Sequence, residues 1–287
     1  MEGYDRLSQR ISRIAVYPIL LLPNTDYTGK RDLFGITAIR GDSDDFEYVL
    51  AHNSMTFAEN QDMQRFLFWA RVIAENAVLR HIWAPLRRLA GISQSQVLRN
   101  LDGWIAEIDD PAAVPLREAV SGAIGGTAAF GAAIAYLYTE PDARRLLQRW
   151  WTESITPLCP AQTVPVLSEV FRYDLLTQPM YRPAGAAAEL PVATIGGEHF
   201  HLMEHVELAY DIPHIVSALQ RDEEPDLAAS PCTVDLYFRV GSESAVTSTN
   251  HEIVMHFMGM TLDQVMTETA DVDANDHPRV SGHGHRP

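Results

Sequence analysis

The sequence predicts a mostly α-helical protein with short β segments near its N-terminus, and three observations carry that prediction. Apolar residues recur at three- and four-residue steps between Met63 and His81. Further stretches of helical length are each bounded by Pro, Gly or a polar capping residue. Hydrophobic residues make up 46% of the 287, enough for a substantial core, which excludes a wholly disordered chain.

In chain order, residues 1–55 read as irregular or β-like. The short runs RIAVYPILLL, DLFGITAI and EYVLAH alternate there with the turn-forming PNTDYTGK and RGDSDD, so an N-terminal arm or small hairpin is expected. Thr56 and Glu59 have capping-box spacing, and the helix they open should run to about Trp83, before Pro85. Further helices are expected at 93–108, 114–138, 142–153 and 164–177. Pro179 to Gly197 is rich in Pro, Gly and Ala and reads as a loop or crossing segment. A helix should resume near His201, ended or kinked at Pro213. The run TVDLYFRV reads as a strand, GSESAVTSTN as a polar loop, and Asn250 to Thr267 as the last helix. One domain over 1–270 is expected, with 271–287 a disordered tail.

A net charge of −16 argues against nucleic acid and anionic membranes as partners. The apolar run from Ile14 ends at Pro23 with no small-residue cleavage site, so the N-terminus reads as mature sequence. Cys159 and Cys232 form no CxxC or CxxCH spacing, which fits a reducing cytoplasm and excludes an ordinary thiolate metal site. Ala119 to Thr139 is charge-free over a length that could span a bilayer. Its residues are mostly small, however, so a buried helix approached closely by its neighbours is the expectation. Gly122, Gly125, Gly126 and Gly131 leave room there for something flat.

Eleven histidines draw attention to imidazole chemistry. His81 lies on the apolar stripe of the helix after Thr56, either as a core imidazole bonded to a carbonyl or as a site residue. His199, His201, Glu204 and His205 cluster in GGEHFHLMEHVEL. In a helix, His201 and His205 would share a face at i,i+4, as two ligands of one metal or as one axial ligand and a neighbour. His251, Met255 and His256 form a third group, read as structural. The chain lacks the glycine-rich nucleotide loops, HExxH and GxSxG. His199-x-His201-x-x-Glu204 is one residue short of a cupin motif, and the terminal GHGH sits on a loose tail unsuited to catalysis.

Three segments, FLFWARVIAENAVLRHIW, LSEVFRYDLL and EHVELAYDI, occur in an order that resembles the tryptophan dioxygenase superfamily, helical heme proteins that oxidise aromatic amino acids. Within it the chain most resembles the heme-dependent tyrosine hydroxylases. The resemblance covers about two-thirds of the chain and implies a helical bundle of that type around heme b. It makes His205 the axial iron ligand, with His201 the fallback one turn away. It makes Arg172 the partner of the substrate carboxylate, and Ser242, Ser244, Thr247 and Ser248 a hydroxyl-rich loop closing over the substrate. The dioxygenases carry a histidine earlier on the distal helix, near Arg71 here, and His81 would serve the distal side instead. That departure favours phenol chemistry: His81 accepts the phenolic proton while the ring is hydroxylated ortho to it, giving L-DOPA from L-tyrosine with hydrogen peroxide or dioxygen. The sequence leaves two other classes open. One is a non-heme metal enzyme built on His199, His201 and His205; the other is a non-catalytic helical accessory or binding protein. A homo-oligomer is compatible with the sequence, which does not fix the oligomeric state.

Overall fold

The computed structural model describes residues 2–9, 20–41, 46–123, 128–179, 190–241 and 250–275. Helix predominates, 57% against 16% strand. The N-terminal region is richer than a hairpin. It opens with helix α1 (Glu2–Ser8), none of whose residues is fully buried although Tyr4 packs edge-on against Phe66. Asp5 holds it, its carboxylate accepting from the backbone N (2.9 Å) and Oγ (2.6 Å) of Ser95. Next comes an antiparallel sheet of β1 (Leu20–Leu21), β2 (Thr37–Arg40) and β3 (Glu47–Ala51), with β3 central. Buried Asn60 ties this sheet to the next helix by donating to the carbonyls of Val49 (3.0 Å) and Leu50 (2.9 Å).

That helix, α2 (Phe57–Trp69), starts where expected, with Thr56 and Glu59 closing the capping box. It does not reach Trp83. The turns widen into a π-helical stretch, Ala70–Glu75, and the chain then leaves the helix. The Asn76 side chain donates to the Arg71 carbonyl (2.8 Å), and Ala77 adopts a left-handed φ of 57°. The apolar spacing persists beyond this point because the loop itself is buried: Val78, Leu79 and Ile82 are each 0% exposed. A turn at Trp83–Pro85 follows.

Helix α3 (Gln94–Glu107) carries a second capping box, Ser93 with Gln96. The expected 114–138 helix is divided into α4 (Val114–Gly122) and α5 (Ala128–Thr139), of which α5 buries Ala133, Ile134 and Leu137. Among the described residues no helix is long and apolar enough to cross a membrane. α6 (Pro141–Trp150) and α7 (Val164–Leu176) match their expected spans, each with Pro in its first turn. Their apolar faces, with α2 and α3, form the main core around Trp69, Trp150 and Tyr173.

The segment expected to be helical from His201 is instead strand β5 (Glu198–Leu208), central between β4 (Val192–Ile195) and β6 (Cys232–Arg239) in an antiparallel sheet. Its register explains why periodicity misleads. His201 and Met203 pair with Phe238 and Leu236, while Val206 pairs with Val234. β5 thus has one extra residue between Met203 and Val206, a bulge at which His205 takes φ 57°. The extra residue breaks the simple alternation that marks a strand. One face of the sheet joins the helical core through Val206, Leu208, Leu236 and Phe238. The other packs Phe200 and Tyr237 on Met260 and Val265. Between β5 and β6 lies α8 (Ile212–Gln220), starting at Asp211 with Pro213 in its first turn rather than ending there.

The last helical region is two pieces, α9 (His251–His256) and α10 (Leu262–Asn275), so helix extends into the segment expected to be a disordered tail. The loop bearing Ser242, Ser244, Thr247 and Ser248 lies outside the described residues, as do Gly125, Gly126, residues 180–189 and 276–287.

Candidate functional site

A cleft of about 520 Å3 opens where α1, the 76–82 loop, the start of α3 and α9 meet. Tyr4, Glu75, Arg80, His81, Trp83 and His251 are among its walls. Its volume lies within the range of about 300–1,000 Å3 common for small-molecule sites.

His81 reaches this cleft from irregular chain, not from a helix. Its position is set by α7, 93 residues away in sequence. The Asp174 carboxylate accepts the backbone N–H groups of Arg80 (3.0 Å), His81 (2.7 Å) and Ile82 (3.1 Å). Tyr173 packs on the imidazole with ring centroids 4.9 Å apart, and Gln178 donates to the Val78 carbonyl (3.0 Å). His81 Nε2 is shut off from solvent and has no hydrogen-bond partner among the described residues. Burial, with the Arg80 charge second, holds the imidazole well below its usual pKa, so the ring is neutral near pH 7 and Nε2 can carry a lone pair.

Arg80 is the cleft's interior cation. Its Nη2 donates to the Gly259 carbonyl (2.6 Å), while Nε has no partner among the described residues. Burial works against its charge and nearby Asp174 sustains it. Burial also pushes Asp174 up to about 6, opposed by its three amide donors and Arg80, and pushes Tyr4 above its usual range.

His251 enters from the N-terminus of α9, which Asn250 caps by accepting from Glu252 N (3.0 Å). His251 Nδ1 is bonded to the Glu75 carbonyl, 176 residues away. A carbonyl only accepts, so Nδ1 carries a proton, and in the neutral ring Nε2 is the nitrogen with the lone pair. The sequence placed His251 in a structural group, and only the chain path brings it opposite the end of α2. Its position after a small polar loop was the available signal.

The other expected site residues lie elsewhere. His205 is exposed at the β5 bulge, its backbone N donating to Asp235 (2.8 Å). His201 is on the core side of the sheet, with Nδ1 shielded and unpartnered among the described residues. His199 bonds Thr194 (3.0 Å). In a bulged strand His201 and His205 lose the i,i+4 relation that made them a pair. Among the described residues no three His, Cys, Asp or Glu side chains gather to hold a metal. Arg172 sits on the outward face of α7, bonded to Glu169 (2.7 Å) and the Glu207 carbonyl (3.0 Å), beside a surface groove that His81 does not line. Arg71 covers the Phe130 ring at 4.6 Å.

No family model matches the chain, and no curated protein sequence matches it.

Proposed function

We propose that the chain is a heme-dependent oxygenase of the tryptophan dioxygenase-like helical type, hydroxylating the ring of an aromatic amino acid, L-tyrosine foremost, with the cleft at His81 and His251 as its site. One observation carries the reading: the imidazoles of His81 and His251, far apart in the sequence, line one cleft.

The donor set fits a porphyrin iron better at His251 than at the residues expected from sequence. A metal-bound imidazole characteristically donates its second N–H to a carbonyl or carboxylate, which fixes the tautomer and raises the basicity of the ligating nitrogen. His251 has that partner in Glu75, whereas the exposed ring of His205 lines no described cleft. His251 therefore takes the ligand role assigned above to His205 and His201, and His81 keeps the distal one. Heme b, when bound, supplies the capacity to activate peroxide or dioxygen.

The chain's own groups do the rest. Neutral His81 is the acceptor of the phenolic proton, making the ring carbon ortho to the phenol oxygen more electron-rich. Arg80, whose side chain lines the cleft, replaces Arg172 as the partner of the substrate carboxylate. Trp83 and Tyr4 give the ring apolar walls. With peroxide as oxygen donor, tyrosine yields L-DOPA and water; dioxygen would demand two further electrons.

The test is spectroscopic. The purified chain supplied with hemin is expected to show a Soret band that is lost or strongly shifted in His251→Ala. The His81→Ala variant should keep the band and lose hydroxylation. Protein that stays colourless with hemin overturns the reading.

A further inference from the structure

Arg80, His81 and Ile82 are consecutive, and the N–H groups of all three converge on one carboxylate, that of Asp174. The 76–82 loop has no regular structure to satisfy its amides, and Ile82 is fully buried. Without Asp174 these donors would be stranded. The other contacts, from α7 and from the turn just beyond it, are less direct. Gln178 grips the loop at Val78, three residues before His81, and Tyr173 restrains one face of the ring. Asp174 alone among these binds the amide of His81 itself, together with those on either side. The main-chain amides of Arg80 and His81 are therefore held by a single side chain.

We propose that Asp174 is a positioning residue for His81: by holding three consecutive amides it fixes where the imidazole stands in the cleft wall without touching what binds there. The inference rests on the reading of His81 as the proton acceptor of the site. A misplacement of about 1 Å in such a group can cost on the order of a hundredfold in rate, which gives a strong reason to clamp the loop.

Three measurements test it. In the wild-type, heme-free chain, the amides of residues 80–82 should exchange with solvent at least about a hundredfold more slowly than in unstructured chain; unprotected exchange overturns the proposal. Asp174→Asn leaves one acceptor oxygen for two of the amides and turns an NH2 toward the third. The His81 ring resonances, shifted by the Tyr173 ring, should then move toward those of a mobile histidine while those of His251 and His256 stay. Asp174→Glu, with the carboxylate one methylene further out, serves as the second variant should the first not fold, and is expected to move the same resonances less. Unmoved His81 resonances in a folded variant overturn the proposal.

The third measurement uses hemin-loaded protein and cyanide, whose binding as the anion needs a base to take the proton of HCN. Association should slow about tenfold in Asp174→Asn, and that substitution should add nothing in a His81→Ala background. Equal slowing in both backgrounds would mean general loosening and overturn the proposal. Absence of a Soret band in the wild type would refute the heme reading alone, leaving exchange and resonance shifts to decide the role of Asp174.

Discussion

Gly259 joins the Arg80 side of the cleft to the second sheet, and replacing it with Ala tests whether that junction is as tight as the structure makes it. Its N–H donates to the Thr177 carbonyl (2.8 Å) and its own carbonyl accepts from Arg80 (2.6 Å). An added Cβ would lie 2.5 and 2.7 Å from two Phe238 ring carbons and 3.1 Å from Thr177 Cα. Phe238 is 1% exposed and has nowhere to retreat. Overpacking of this kind costs about 1–3 kcal/mol. If the segment shifts to relieve it, the charge-assisted bond from Arg80 weakens, a loss of about 1.5–3 kcal/mol. The stiffer unfolded chain returns about 0.4–1 kcal/mol. Since either the clash or the broken bond is suffered, and not both in full, the net expectation is a destabilisation of about 1.5 kcal/mol. Gly103→Ala is the control, because Gly103 lies inside α3 and an added Cβ meets nothing within 4 Å. Removing Gly from a helix interior should stabilise by about 1 kcal/mol. Urea unfolding near neutral pH reads both, and the midpoints should move in opposite directions with unchanged slope. If Gly259→Ala were as stable as the wild type, or shifted with Gly103→Ala, the packing argument would be refuted.

Asp174 predicts a pH dependence. Its folded pKa of about 6 exceeds the usual 3.8, so the folded state holds the proton more tightly. The stability it contributes is full below about pH 4 and lost as pH rises through 6, by at most about 3 kcal/mol for a two-unit shift. Relative to Asp174→Asn, the wild type should lose ground in urea between pH 4 and 7; a gain would show that the amide donors outweigh burial. Asp5→Ala removes both bonds from α1 to Ser95, and should cost about 1 kcal/mol while speeding limited proteolysis near the N-terminus. Unchanged cleavage would mean that Asp5 does not hold α1. Arg172→Ala should cost about 1 kcal/mol, because Arg172 is half-exposed but its partner Glu169 is only 15% exposed, and, on the proposed function, should leave the hemin spectrum and hydroxylation intact. Loss of hydroxylation would return Arg172 to the site.

The candidate site was legible in part. His81 stood out because an ionisable residue on an otherwise apolar stripe is unusual, and that stripe reflected real burial even though its backbone is a loop. His251 was visible only as one member of a polar group after a loop. The attention given to His201 and His205 came from an i,i+4 spacing that means proximity in a helix and little in a bulged strand. Arg172 was singled out over Arg80 by resemblance of the segment around it. Which face of α7 points inward was settled by its neighbours Tyr173 and Asp174, both buried at 2% exposure or less.

Local sequence was enough for what depends on near neighbours: the capping box at Thr56, helix starts marked by Pro, the strand run TVDLYFRV, and a helical majority that follows from composition and spacing. Only the tertiary structure decided where α2 stops, that 198–208 is a strand, and which imidazoles share a cleft. The first and the last hang on bonds between residues 92 to 176 positions apart, Asp174 to the 80–82 amides and His251 to Glu75, and the strand on its pairing with β4 and β6. A carboxylate that satisfies three amides can hold a stretch of chain out of the helix its apolar pattern suggests. Whether such a carboxylate arrives depends on the path of the whole chain.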